Sequence, residues 1–234
     1  MVDLSAEMAE LWASLGGTSP GRARAVQFVA ARRGEGTSTV AREFAAYAAS
    51  RAGRSVWLVD LDLFTSPQHA AIAGAPEMYG DLGKAVAATP ADGATFFTVQ
   101  PPTLMPDGSA APDSRFLVAH AVGQHKWWVT RFRADVLKGS QNVHVLPNAD
   151  YWNALKRHAD LVVVDCPSAD RSQSALTVAP FMDQSVLVVA ADQPDVQAPA
   201  RLRDAMQGAG GRVAGVFFNR TQVETPGFMR AFLR

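Results

Sequence analysis

The chain has one cysteine, Cys166, in 234 residues. That excludes an internal disulfide framework and suits a reducing compartment. It has no net charge, because 22 lysines and arginines balance 22 aspartates and glutamates. Nothing in that balance argues for nucleic acid as a partner, and a chain with little self-repulsion suits life inside an assembly. It has no apolar run approaching the ~18 residues that a membrane span needs. Its first residues, MVDLSAEMAELW, carry neither a basic start nor an apolar core, so no signal peptide is expected. What is present is an ordinary globular composition, 48% hydrophobic and 19% charged, long enough to bury the core of one α/β domain.

Residues 4–15 place Leu4, Met8, Leu11, Trp12 and Leu15 at helical spacing, with Ser5 as the cap. A Gly/Pro-rich stretch, 16–24, reads as a linker, so the expected division is 1–24, helix and linker, then 25–234, the α/β domain. Five apolar runs of buried-strand type follow, at 25–30, 55–60, 160–165, 184–190 and 212–219. Helical patterns lie between them at 38–52, 67–73, 81–88, 149–158, 171–179 and 196–208. Strands alternating with helices predict a doubly wound, mostly parallel sheet with helices on both faces. The segment 90–148 breaks this rhythm. It is rich in Pro, Gly and Asp, and then offers two extended runs, 116–122 and 127–133, that read as an inserted β-hairpin.

The most informative segment runs AVQFVA, ARRGEGTST, VAREFAAYAAS (25–50). A buried strand enters a glycine loop that opens an amphipathic helix, which is the context a phosphate-binding loop requires. Gly34 and Gly36 let successive backbone N–H groups turn toward phosphate oxygens, and the helix N-terminus adds partial positive charge. Ser38 stands where such a loop places its Mg²⁺-binding hydroxyl. Thr37, however, stands where G-x-x-x-x-G-K-S/T has its lysine, and Ala31 replaces the first glycine. At ~4 Å and an effective dielectric of ~20 a lost cation forfeits ~4 kcal/mol of attraction before desolvation. Arg32 and Arg33 could partly compensate. On the loop alone, a glycine turn with no ligand is an equal alternative.

Two further motifs stand in register with the loop. VWLVDLD (56–62) ends a strand in Asp60, with Asp62 two residues on, and LVVVDCP (161–167) ends another in Asp165. In open α/β sheets ligands sit beyond the carboxyl ends of strands, where such carboxylates hold Mg²⁺ or orient a nucleophile. A single aspartate there is more often a turn or helix cap. Three of them with a glycine loop, in this order, make that reading weaker.

The ordered set resembles the cytoplasmic domain of bacterial tyrosine kinases of capsule and exopolysaccharide export, within the Min/Par-type deviant P-loop ATPases. RGEGTST (33–39) is similar to the family's PGEGKST, WLVDLDLF (57–64) to its D-x-D-x-R motif, and VVVDCPS (162–168) to its Walker B motif. The resemblance continues through 181–220. It implies ATP or ADP bound by Arg33, Gly34, Glu35, Gly36, Thr37, Ser38, Thr39 and Asn219. It also implies Mg²⁺ at Ser38, Asp60, Asp62 and Asp165, with Asp60 the catalytic position. Four departures weaken that chemistry. Thr37 replaces the lysine, Phe64 the arginine and Ser168 the proline, and the family's C-terminal tyrosine cluster has no counterpart among Tyr47, Tyr79 and Tyr151. The family's assembly motif on the first helix, E-x-x-R-x-x-R, would read Glu7, Glu10, Ala13. In the Min/Par branch the loop's second residue reaches across a dimer, and Arg32 holds that position.

The expectation is therefore a kinase-like regulator of exopolysaccharide export with impaired catalysis and weakened ATP/ADP and Mg²⁺ binding. It would be cytoplasmic, held at the inner membrane through a chain-length determinant or polysaccharide co-polymerase, with a homo-oligomer open. Two alternatives stand beside it. One is an active ATPase or tyrosine autokinase using Arg32 or Arg33. The other is a Par/Min-like positioning protein, against which stands the short C-terminal GFMRAFLR, a poor membrane anchor. Trp127 and Trp128 on the hairpin are read as core or as a partner surface. His120, His125 and His144 lack metal-ligand spacing.

Overall fold

The computed structural model describes residues 4–17, 21, 23–124, 126–192 and 195–220. Most of the linker core, His125 and the C-terminal segment that was weighed as a membrane anchor lie outside them. Among the described residues no helix is long and apolar enough to cross a membrane.

The central strands β1 (Arg24–Ala30), β2 (Ser55–Asp60), β8 (Ala159–Asp165), β9 (Gln184–Ala190) and β10 (Val213–Asn219) lie where the apolar runs predict them. They run parallel in the order β10-β9-β1-β8-β2. Every residue of β8 is buried, as expected of a strand covered on both faces, where no alternation survives.

The hairpin forms, as β5 (Leu117–Ala121) and β6 (Trp127–Phe132), and it extends the main sheet instead of standing apart from it. β6 pairs parallel with β2, and β5 pairs antiparallel with the short β3 (Val86–Ala87). The sheet is thus eight strands, five pairs of neighbours parallel and two antiparallel. The helix expected at 81–88 is absent. Gly80, at φ +87, passes so close to Gly123 that a side chain there would meet its Cα at 2.5 Å. The Gly83 N–H then donates to the Ala121 carbonyl at 2.8 Å, and Leu82 bridges Val122, so pairing along β5 outcompetes helix. β4 (Phe97–Gln100) and β7 (Asn142–Val145) form a small antiparallel sheet that the sequence reading did not find.

Helices cover both faces. On one lie α1 (Ser5–Ser14), α2 (Thr37–Ala49), α3 (Pro67–Ala73) and α4 (Pro76–Tyr79). Leu4, not Ser5, stands at the cap position of α1. Val40, Ala41, Phe44, Ala45 and Ala48 make a buried stripe along α2, and Trp12 of α1 packs on Phe44 and Tyr47. On the other face lie α5 (Ala149–His158), α6 (Ser174–Val178) and α7 (Gln197–Gly208), with β4 and β7 beside α5. Asn148 caps α5 by accepting the Asp150 N–H, and Lys156, Arg157 and His158 suit its C-terminal dipole. Trp127 is buried among the first set against Tyr79. Trp128 is half-buried on the opposite face, stacked on Trp57 with centroids 5.6 Å apart.

Candidate functional site

β1 delivers the chain to a loop, 31–36, that turns into α2. Gly34 and Gly36 both adopt positive φ, near +90°, a conformation that L side chains resist. Gly36 has a second constraint: a Cβ there would meet the Asn219 Nδ2 at 2.0 Å. A Cβ at Gly34 would meet open space, while the Gly34 carbonyl accepts the Arg220 Nη2 at 2.5 Å. Glu35 is buried beneath the loop. Its carboxylate accepts the Arg32 N–H at 2.8 Å and the Ala190 N–H at 3.4 Å, while its carbonyl accepts the Asn219 Nδ2 at 2.9 Å. Glu35 and Asn219 therefore fix the loop to β9 and β10.

The carboxylates divide into two environments. Asp60 is buried, its backbone N–H donates to Thr130 Oγ1 at 3.0 Å, and its oxygens accept the Asp62 and Gln68 N–H groups at 2.9 and 3.0 Å. It satisfies the otherwise orphaned start of α3, the work of a helix cap. Burial, with the Asp165 charge next, holds its pKa well above the usual carboxylate range. Asp165 is also buried and is pushed up to about 6 by that burial, against the opposing pull of the Ser38 hydroxyl and the Gln68 amide. Gln68 Nε2 donates to Asp165 Oδ2 at 2.6 Å and to the Ser38 carbonyl at 2.8 Å, while Arg42 donates to Gln68 Oε1 at 3.3 Å. Asp165 Oδ1 is buried without a hydrogen-bond partner. Asp62 is more open and pairs with Arg171 at 3.2 Å.

A cavity of about 430 Å³ lies over these groups. Arg33, Gly34, Gly36, Thr37, Ser38, Thr39, Asp62 and Asp165 border it, so most of the residues named from the sequence meet in one place. Asp60, Glu35 and Asn219 do not border it and sit one layer behind. The cations at its rim are Arg32, Arg33 and Arg171, and no lysine is among the lining residues. Arg32 directs its guanidinium to Asp195. Gln68, Thr130 and Arg171 escaped the sequence reading. Gln68 had a signal, as a polar residue just after Ser66-Pro67 at the start of α3; Thr130 and Arg171 are brought in only by the tertiary fold.

The donors suit a magnesium nucleotide in part. The unpartnered Asp165 Oδ1 and the Ser38 hydroxyl are hard oxygens of the kind Mg²⁺ takes, with the remaining positions left to phosphates and water. Among the described residues no cluster of three His, Cys, Asp or Glu could hold a metal alone. Solved structures with the same architecture include the kinase domain of Escherichia coli tyrosine kinase ETK, at 16% identity over 92% of this chain and 75% of that one, TM-score 0.53. The kinase domain of VpsO matches at 15% over 94% and 100%, TM-score 0.54. The septum site-determining protein MinD of Pyrococcus horikoshii, complexed with Mg-ADP, matches at 16% over 90% and 77%, TM-score 0.55. The fold is the one these proteins share. At this identity the likeness is one of fold alone. No family model matches the chain, and no curated protein matches it in sequence.

Proposed function

We propose that this chain is a kinase-like regulatory domain of an exopolysaccharide export system, with a phosphate loop that binds nucleotide weakly and does not sustain efficient phosphoryl transfer. It acts at the cytoplasmic face of the inner membrane, docked on a membrane chain-length determinant. The fold shared with tyrosine-kinase domains and the resemblance of the three motifs support this reading. The observation that carries it is Thr37, which opens α2 and borders the cavity at the lysine position. A hydroxyl there cannot offset charge building on a transferring phosphoryl group, a task that falls almost wholly to positioning and cations. A bound Mg²⁺ would supply further neutralisation; Ser38 and Asp165 would hold it and Gln68 would orient Asp165. Tyr151 is fully buried and Tyr79 is bonded through its hydroxyl to Glu43 and Arg42, so neither is presented as a phosphate acceptor.

The test is calorimetric titration with ADP and Mg²⁺ of the wild type and Thr37→Lys. We expect wild-type affinity no better than about 100 μM and at least a tenfold gain in the variant, a shift of about 1.4 kcal/mol. Micromolar binding by the wild type would instead make an active ATPase or autokinase the better description.

A further inference from the structure

We infer that Arg171, on the loop after β8, is the cation that meets a ligand's terminal phosphate in place of the missing lysine, with Asp62 holding it ready. This rests on the nucleotide reading of the cavity and names the group that gives it what affinity it has. Three arginines reach the cavity rim, and their settings differ. Arg32 is tied to Asp195, a residue that does not border the cavity, and Arg201 shares that carboxylate at 3.8 Å. Arg33 borders the cavity too, with only its backbone N–H seen to be held, by Asp170. Arg171 is paired at 3.2 Å with Asp62, which borders the same cavity as Ser38 and Asp165. Its guanidinium is therefore held on the side of the cavity where the P-loop hydroxyl and the carboxylates gather, the side a terminal phosphate would face.

The loop that carries Arg171 is laced to the phosphate loop. The Ala169 N–H donates to the Ala30 carbonyl at 2.9 Å and the Asp170 N–H to the Ala31 carbonyl at 3.2 Å. In return Asp170 Oδ2 accepts the Arg33 N–H at 3.3 Å. The backbone at 171 is thus fixed relative to the loop it serves, while the side chain, 42% exposed, borders the cavity. Its closest approach to Asp62 is through Nη2. Guanidinium carries five N–H donors in a fork suited to phosphate, so it can keep Asp62 on one edge and donate to a phosphate on the other. Asp62, committed in this way, is a holder of Arg171 before it is a metal ligand.

The experiment titrates ADP, and separately inorganic tripolyphosphate, into wild type, Arg171→Ala, Arg171→Lys and Arg32→Ala, each with Mg²⁺ and with EDTA. We expect Arg171→Ala to lose at least tenfold in affinity for both probes, Arg171→Lys to lose less, and Arg32→Ala to change less than twofold. Equal affinity in wild type and Arg171→Ala overturns the inference, as does an equal loss in the Ala and Lys variants. Tripolyphosphate bound through Arg171 with no binding of ADP leaves the inference standing and removes the nucleotide reading. Failure of the wild type to bind either probe removes Arg171 from any phosphate role.

Discussion

The centre of the sheet and its β6-β5-β3 edge fill the same core by different means. β8 is buried at all of its residues and β1 at all but its first, so their side chains are held from both faces. β3 is exposed at both residues, and β5 is buried at only two of its five. The edge, with β4 and α5 packed beside it, makes up the difference with aromatics. Phe96 lies 5.4, 4.9 and 5.3 Å from the rings of Phe97, Tyr151 and Trp152, and Phe132 packs on Phe97 and Phe116. The centre is stabilised by many equivalent aliphatic contacts. The edge depends on a few large side chains, so its stability is concentrated in single residues.

The sharpest way to break that comparison is Phe96→Ala. It removes a fully buried ring at the middle of the aromatic group, and we expect a loss of about 4 kcal/mol in chemical denaturation. Val163→Ala, in the buried centre, should cost less than half as much. Similar losses at the two sites would show that the edge is no more concentrated than the centre.

Asp165→Asn tests the opposite character of the centre, where burial works against a charge. The folded state raises this carboxyl to about 6 from an ordinary value of 3.8, so the folded chain holds a proton that the unfolded chain releases. Stability from this group is fully present below about pH 4, falls as pH rises toward 6, and stays lost above it. The variant should match the wild type near pH 4. Above pH 6.5 it should be more stable by about 3 kcal/mol, melting several degrees higher. Thermal melts across pH 4–8 that run parallel would refute the raised pKa.

Thr130→Val examines the seam between the two regions. Thr130 lies on β6, is fully buried, and accepts the Asp60 N–H. Losing that acceptor should cost about 1–2 kcal/mol. The measurement that matters is amide exchange at Asp60, which should quicken more than exchange at Val163.

The same contrast explains what the sequence made legible. Continuous apolar runs such as LVVVD announce a strand with no partner needed, and the GEG turn followed by Ala-rich α2 announces a loop opening a helix. Those signals are local. DLGKAVAA carries a helical pattern, yet two glycines and the neighbouring β5 draw it into pairing, a choice made by contact across the fold. Ser55–Asp60 and Ala159–Asp165 placed Asp60 and Asp165 at strand ends, but not the layer each occupies. Asp60 turned inward to the start of α3, and only the position of Gln68 eight residues later decides that. Arg171 sits in a polar loop of no distinctive pattern; its relation to Asp62 depends on two strands far apart in sequence becoming neighbours.

The Glu35–Asn219 clamp gives the phosphate loop a thermodynamic partner at a distance. Asn219 ends β10, one of the two outer strands of the sheet, and its amide holds the carbonyl of the residue between the two glycines. Any macromolecule whose binding at that margin shifts Asn219 must alter the affinity of the loop for its ligand. By reciprocity the ligand alters the affinity of the margin by the same factor. The sheet edge and the loop are in that sense two readings of one equilibrium.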